Sequence, residues 1–130
     1  MNIVQSPSPN FDTRKLPISL LILHYTGMQT GEAALARMVD PAAKVSAHYM
    51  VETDGSVFQL VDEENRAWHA GVSEWQGVTD INSASIGIEI VNGGHDWPEA
   101  DGSLPAYPDV QIMSVIAPVS YTHLTLPTKA

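Results

Sequence analysis

Two polar side chains interrupt otherwise apolar runs of this sequence, and both could do chemistry. His24 lies near the end of the run at residues 18–25, and Glu89 lies within the run at residues 85–91. A carboxylate among isoleucines is costly to bury unless it is paired or used. A histidine where a strand opens onto a loop occupies the position at which α/β sheets place their sites. The alternatives are a hydrogen-bonded core histidine and an edge strand that turns Glu89 to water.

The remaining histidines have weaker positions in the pattern. Trp68 and His69 place an indole ring next to an imidazole in a polar segment. The pair could form the wall of a ligand-binding site or part of a packed lid. His48 lies in a strand-like run and has a structural alternative. His95 falls in a polar loop and is expected to be solvated, and His123 is given no role.

Composition limits the chemistry that is available. The 130 residues include six basic and fifteen acidic side chains, a formal net charge of −9. This balance argues against nucleic acid and anionic membrane surfaces as partners, because both need a basic face. There is no cysteine, so a transition metal would have to use histidine and carboxylate ligands.

The sequence shows no targeting or membrane signal. No apolar run approaches the roughly 20 residues of a membrane-spanning helix. Residues 1–15 are polar and lack the order of a signal peptide, a charged segment followed by an apolar one. We therefore expect a cytoplasmic protein for the chain as written, and a periplasmic or cell-envelope protein if an upstream segment is missing.

Hydrophobic patterns predict an α/β fold with a central mixed β-sheet flanked by helices. The runs at 18–25 and 85–91 have the length and bulk of strands buried on both faces. The runs at 47–52 and 56–61 flank Asp54-Gly55, a hairpin signal.

Helix and loop signals complete the pattern. Thr30 predicts the N-cap of a helix that ends near Met38. A second helix is expected to start at Pro108 and to be broken by Pro118. The pattern predicts loops at two segments, residues 62–77, with room for one helical turn, and residues 93–105.

These signals divide the chain into three parts. Residues 1–17 are expected to form an extended N-terminal lead, since Pro7, Pro9 and Pro17 discourage helix. Residues 18–117 are expected to form one domain that is incomplete at its C-terminus. Residues 118–130 lack acidic side chains and any packing pattern, and are interpreted as a non-native tail. The alternative for the tail is a disordered terminus or an edge strand.

Five short motifs together resemble a known family. They match, in order and spacing over residues 18–117, the zinc-dependent N-acetylmuramoyl-L-alanine amidases, whose fold is shared with the peptidoglycan-recognition proteins. Each motif is weak alone, and the set is specific. The motifs are Leu23-His24-Tyr25-Thr26, Ser46-Ala47-His48-Tyr49, Asp54-Gly55, Ala67-Trp68-His69-Ala70-Gly71 and Ser85-Ile86-Gly87-Ile88-Glu89.

The resemblance implies roles for particular residues. His24 would be the first ligand of a Zn²⁺ ion and Glu89 the catalytic carboxylate. Tyr25, Trp68 and His69 would bind the substrate, peptidoglycan or a released muropeptide. We expect His24 and Glu89 to share one cleft at one end of the sheet, with Trp68 nearby.

The implied reaction is hydrolysis of the amide between N-acetylmuramic acid and L-alanine by zinc-activated water. The family's other two metal ligands follow a long helix and are not matched here. The resemblance therefore implies a C-terminally truncated fragment that binds zinc weakly and is inactive. The alternative is a non-catalytic peptidoglycan-binding module of the same fold.

Overall fold

A five-stranded mixed sheet forms the centre of the computed structural model, which describes the backbone of residues 3–123 and the side chains of residues 3–116. One turn of 3-10 helix follows the last strand, at Gly94–Asp96. The expected α/β fold is confirmed. The elements in chain order are β1 (Ile3–Gln5), β2 (Phe11–Thr13), β3 (Leu20–Tyr25), α1 (Gly31–Val39), β4 (Tyr49–Val51), β5 (Val57–Gln59), β6 (Asn65–Ala67), α2 (Ile81–Ala84), β7 (Ser85–Ile90) and α3 (Asp109–His123).

The sheet is mixed because one pair of strands is a hairpin. Its strand order is β1-β5-β4-β7-β3. β4 and β5 are antiparallel, as the Asp54-Gly55 signal predicted, and the other neighbours are parallel. β2 and β6 form a separate antiparallel pair. β7 is therefore an interior strand, which excludes the edge-strand explanation for Glu89.

Helix α1 covers one face of the sheet. The Thr30 hydroxyl accepts a hydrogen bond from the Ala33 N–H at 3.1 Å, the capping interaction that the sequence predicted. Ala34 and Met38 recur on one side of the helix and are buried against Met50 and Leu60. α1 thus closes one layer of the core and borders the face that carries Glu89.

The opposite face packs against α3. Ile86 and Ile88 of β7 are completely buried and contact Val115 of α3 in a second apolar cluster. Gln111 ties the start of this helix to the sheet, since its Nε2 donates to the carbonyls of Val51 and Val91 at 3.2 and 2.8 Å. The domain is a three-layer arrangement of helix, sheet and helix.

Within the N-terminal segment that the sequence predicts to be an extended lead, residues 3–5 and 11–13 form short strands of the folded unit. β1 pairs with β5 in the main sheet and β2 pairs with β6. Arg14 donates to backbone carbonyls of Glu63, Asn65, Ser83 and Ser85 at 2.6–3.1 Å. The prolines that argued against helix are compatible with these short extended strands.

Three further expectations need correction. The strand at residues 20–25 is the edge of the sheet and is not buried on both faces, and Leu23 is 51% exposed. The predicted loop at 62–77 contains β6, because its partner β2 comes from a distant part of the chain. α3 continues past Pro118 to His123, since proline removes one helical hydrogen bond without necessarily ending the helix. Residues 124–130 of the predicted tail lie outside the described part of the chain.

Candidate active site

His24 and Glu89 are direct register partners on adjacent parallel strands. Side chains alternate along a strand, so register partners project to the same face. Both residues lie at the second-last position of their strands, β3 and β7, where the chain leaves the sheet. Their predicted placement on one face at one end of the sheet is confirmed.

Glu89 is largely buried without a partner for one carboxylate oxygen. Its Oε2 atom has no hydrogen bond within the part of the chain that the structure describes. Burial disfavours the charged form and raises the pKa of Glu89 to about 7. The side chain opens into a cleft of about 280 Å³. The cleft is lined by Thr26, Met28, Ala34, Arg37, Met38, Val45 and Glu89.

His24 contacts a second imidazole on the same face. Its Nε2 lies 2.9 Å from Nδ1 of His69, and the two rings meet edge to face with centroids 5.1 Å apart. Burial lowers the pKa of His24. The pKa of His69 falls to about 3, first because the ring is buried and then because a proton on His69 would be repelled by positive charge on nearby groups, foremost a protonated His24. Both rings are therefore neutral at pH 7.

A missing side chain makes room for His69. A Cβ atom on Gly87 would lie 2.5 Å from the ring carbons of His69, closer than real Cβ contacts allow. Gly87 lies between Ser85 and Glu89 on the same face of β7. Glycine at this position therefore lets the ring of His69 rest on the sheet beside His24.

The loop that carries His69 is held by a short helix that the sequence interpretation missed. Asp80 caps α2 by accepting from the Ser83 N–H. Asn82, within α2, accepts from the backbone N–H groups of His69 and Ala70 at 3.0 and 2.8 Å. Asp80 before an Ile-Asn-Ser-Ala run was the available signal, an N-cap residue followed by a single turn.

His48 has a structural role. Its Nδ1 accepts from the Gly87 N–H at 3.0 Å, and its Nε2 lies 2.9 Å from the carbonyl of Asn65, to which it donates. The ring is completely buried, and burial lowers its pKa to about 4. With both nitrogens engaged, His48 has no electron pair left for a metal.

The other predicted site residues are not all brought together. Tyr25 projects to the opposite face from His24, is 48% exposed, and packs against Gly94. Trp68 lines a neighbouring cleft with Lys44, Arg66 and His69, among others. His95 is exposed, as expected.

The expectation of one shared cleft is only partly met. His24 borders a groove formed with residues of β3 and of the segment 70–75, separate from the cleft of Glu89. Val45 lines both the Glu89 cleft and the Trp68 cleft, so these two adjoin. Arg37, which the sequence interpretation missed, also lines the Glu89 cleft.

The donor groups fit one position of a zinc site. His24 Nδ1 has no hydrogen bond within the described residues, so a neutral His24 can offer its electron pair there. Three histidine or acidic side chains placed to hold a metal together do not occur in that part of the chain. A catalytic zinc site takes three protein ligands, so the described residues would fill only one position of such a site.

Comparison with known proteins defines the class of this protein. The family model for N-acetylmuramoyl-L-alanine amidase (Amidase_2) matches residues 14–123. N-acetylmuramoyl-L-alanine amidase AmiD of Escherichia coli K12 is 37% identical over a 113-residue alignment that covers 77% of this chain and 39% of AmiD. The 1,6-anhydro-N-acetylmuramyl-L-alanine amidase AmpD of Haemophilus influenzae is 34% identical, covering 93% of this chain and 74% of AmpD.

Solved structures agree with this assignment. A crystal structure of an AmpD derivative superposes with a TM-score of 0.79 at 32% identity, covering 96% of this chain and 75% of that one. A complex of E. coli AmiD with anhydro-N-acetylmuramic acid-L-Ala-D-gamma-Glu-L-Lys superposes with a TM-score of 0.68 at 34% identity, covering 83% and 43%. The chain belongs to the N-acetylmuramoyl-L-alanine amidase family. It spans 39% of E. coli AmiD and 56% of E. coli AmpD.

Proposed function

We propose that this domain hydrolyses the amide bond between N-acetylmuramic acid and L-alanine of peptidoglycan. The observation that carries the proposal is Glu89, a largely buried carboxylate whose Oε2 atom is buried without a partner, on an interior strand of a family member. A group that exchanges protons near neutral pH suits general acid–base catalysis. A purely structural residue at this position would gain nothing from a charge that is costly to bury.

Glu89 has the properties that the two proton transfers of amide hydrolysis require. With a pKa of about 7, a substantial fraction is ionised at neutral pH and can take a proton from water. The water oxygen attacks the lactyl carbonyl carbon, and Glu89 returns the proton to the alanine nitrogen as the C–N bond breaks. The products are a lactyl carboxylate and a peptide with a free L-alanine amine.

We propose Zn²⁺ as the cofactor, with His24 as one ligand. In such sites zinc supplies a bound water whose pKa is lowered to about 7. The described residues offer no complete ligand set. This supports the prediction that residues 1–130 alone bind zinc weakly and hydrolyse little.

The substrate class follows from the clefts beside the site. We propose a muropeptide or wall strand whose stem peptide lies across the Glu89 and Trp68 clefts. Lys44 lines the latter and places a positive charge where acidic stem-peptide residues would pass, whereas the charge of Arg66 is paired with Asp12 and Asp80. The solved structures of two relatives are complexes with anhydromuropeptides, which supports a ligand of this type.

The structure adds one observation on partners and location. No helix among the described residues is long and apolar enough to cross a membrane. The cytoplasmic location expected for the chain as written remains a prediction, which cell fractionation with an antibody to this chain would test.

The proposal is tested with Glu89→Gln, compared with the wild type and with Glu64→Gln, an exposed matched control. Zinc-loaded full-length gene products would be incubated with N-acetylmuramyl-L-Ala-D-Glu, and the released dipeptide measured by mass spectrometry. Glu89→Gln should lower kcat about 100-fold or more, and Glu64→Gln should leave it unchanged. Unaltered turnover by Glu89→Gln would overturn the role of Glu89.

The same experiment addresses the alternative of a binding module. If the wild-type protein binds the muropeptide but releases no dipeptide, the domain recognises peptidoglycan without cutting it, and the amidase proposal fails. Residues 1–130 assayed in parallel should show little turnover. Full activity of residues 1–130 would refute the prediction that they form an inactive fragment.

A further inference from the structure

A chain of hydrogen bonds runs from the carbonyl of Ile81, the first residue of α2, through Ser85 and His69 to His24, and its first hydrogen bond fixes the direction of the others. The Ser85 hydroxyl donates to the carbonyl of Ile81 at 2.7 Å. A carbonyl can only accept, and a hydroxyl has one proton to give. Ser85 Oγ must therefore act as an acceptor towards any other partner.

His69 is that other partner. Its Nε2 lies 3.0 Å from Ser85 Oγ, so His69 carries its proton on Nε2 and donates to the hydroxyl. A neutral imidazole has one protonated nitrogen and one electron pair. Nδ1 of His69 is consequently an acceptor.

His24 completes the chain. Its Nε2 lies 2.9 Å from His69 Nδ1, and it must be the donor because His69 offers an electron pair there. His24 is thereby held as the tautomer protonated on Nε2. Its Nδ1 retains an electron pair that no other described group engages.

Independent features hold His69 in place for this role. Gly87 leaves room for the ring against the sheet. Asn82 accepts from the backbone N–H groups of residues 69 and 70. The ring of His48 also meets the ring of His69 edge to face, with centroids 6.1 Å apart. His69 is thus enclosed from several directions.

We propose that His69 is a positioning residue that fixes the tautomer and ring orientation of His24, leaving His24 Nδ1 as the electron-pair donor for a metal ion. This inference rests on the proposed zinc-dependent function, and it differs from the substrate-contact role that the family resemblance implied for His69. Metal-binding histidines usually donate their second N–H to a neighbouring acceptor, which orients the ring and raises its basicity. Here the acceptor is a second imidazole.

The first experiment reads the protons directly in residues 1–130 labelled with ¹⁵N. Two-bond ¹H–¹⁵N correlations should show both His24 and His69 protonated at Nε2. A ¹⁵N–¹⁵N coupling across the hydrogen bond should join His24 Nε2 to His69 Nδ1. Protonation of His24 at Nδ1, or a donor proton on His69 Nδ1, would overturn the proposal.

The second experiment measures the consequence for metal binding. Zn²⁺ alone would be titrated into wild type, His69→Ala, His69→Gln and His95→Ala, with the His24 imidazole ¹⁵N shifts as the readout. His69→Ala should weaken binding about 10–100-fold. Glutamine can accept from His24 through Oε1 and donate to Ser85 through Nε2, so His69→Gln should recover part of the loss. His95→Ala should bind as wild type does.

The outcomes separate this inference from the proposed function. Wild-type affinity in His69→Ala would refute the positioning role. If His69→Ala fails to fold, the proton positions of the wild-type chain still decide the question. An intact hydrogen-bond chain in a protein without amidase turnover would leave the inference standing and the proposed function refuted.

Discussion

The two faces of strand β7 differ in chemical character, although their residues alternate along the same six positions. One face carries Ile86 and Ile88, which are completely buried against α3 and the neighbouring strands. The other face carries Ser85, Gly87 and Glu89, which support an imidazole chain and a cleft. The first face stabilises the fold by excluding water. The second face carries polar and reactive groups whose burial lowers the stability of the fold.

One strand can therefore contribute one face to the apolar core and the other face to the site. Period-two alternation separates the faces completely, so a large apolar core can be built without constraining the site. The loss of stability comes from individual buried polar atoms that lack hydrogen-bond partners among the described residues, including Oε2 of Glu89. Substitutions on the two faces should consequently have different signatures, and three variants test this comparison.

The largest effect is expected on the apolar face. Ile88→Ala removes three carbons from a completely buried site and should lower the free energy of unfolding by about 2–5 kcal/mol. Leu23→Ala on exposed β3 is the matched control and should change stability by less than about 0.5 kcal/mol. Denaturant unfolding would measure both. Equal losses for the two variants would show that β7 is not the centre of the core.

A smaller effect is expected where glycine admits His69. Gly87→Ala places a methyl group 2.5 Å from the His69 ring and should cost about 1–3 kcal/mol. In a His69→Ala background the same change should be nearly neutral, because the ring is gone. A double-mutant cycle measures this coupling. The same cost in both backgrounds would assign the requirement for glycine to the backbone instead.

The smallest effect should be a gain of stability. Below pH 4.5 the Glu89 carboxyl is neutral in both states, whereas between pH 4.5 and about 7 the unfolded state loses its proton first. The free energy of unfolding therefore falls as pH rises through this window, and the full penalty applies above it. Glu89→Gln should be more stable than wild type at pH 8 by about 2 kcal/mol or less.

The control for this prediction is the pH dependence itself. Unfolding measured at pH 4 should show little difference between Glu89→Gln and wild type. Glu64→Gln should show little difference at either pH. A pH-independent gain would indicate a packing effect rather than removal of a buried charge.

The sequence contained most of the information about the sheet that positions the site. The run at 85–91 predicted the interior strand, and the polar interruption marked Glu89 as unusual. Thr30 located the start of α1, and Asp54-Gly55 located the hairpin. These signals are local, because apolar periodicity and capping depend on a few neighbouring residues.

The remaining features depend on long-range pairing. β2 and β6 have only three residues each and stabilise one another across more than fifty positions, so neither carries a strand pattern of its own. The hydrogen-bonded pair of His24 and His69 also requires the folded loop. The sequence identified both histidines as candidate site residues. It could not predict that they are in contact or that they line different grooves.

Arg14 has a consequence for the order of events during synthesis. Its guanidinium holds the N-terminal segment to carbonyls of residues 63, 65, 83 and 85. These acceptors are synthesised some fifty to seventy residues after Arg14. The Arg14 contacts therefore cannot be completed until residue 85 has emerged, whereas β1 can pair with β5 as soon as residues 57–59 are available.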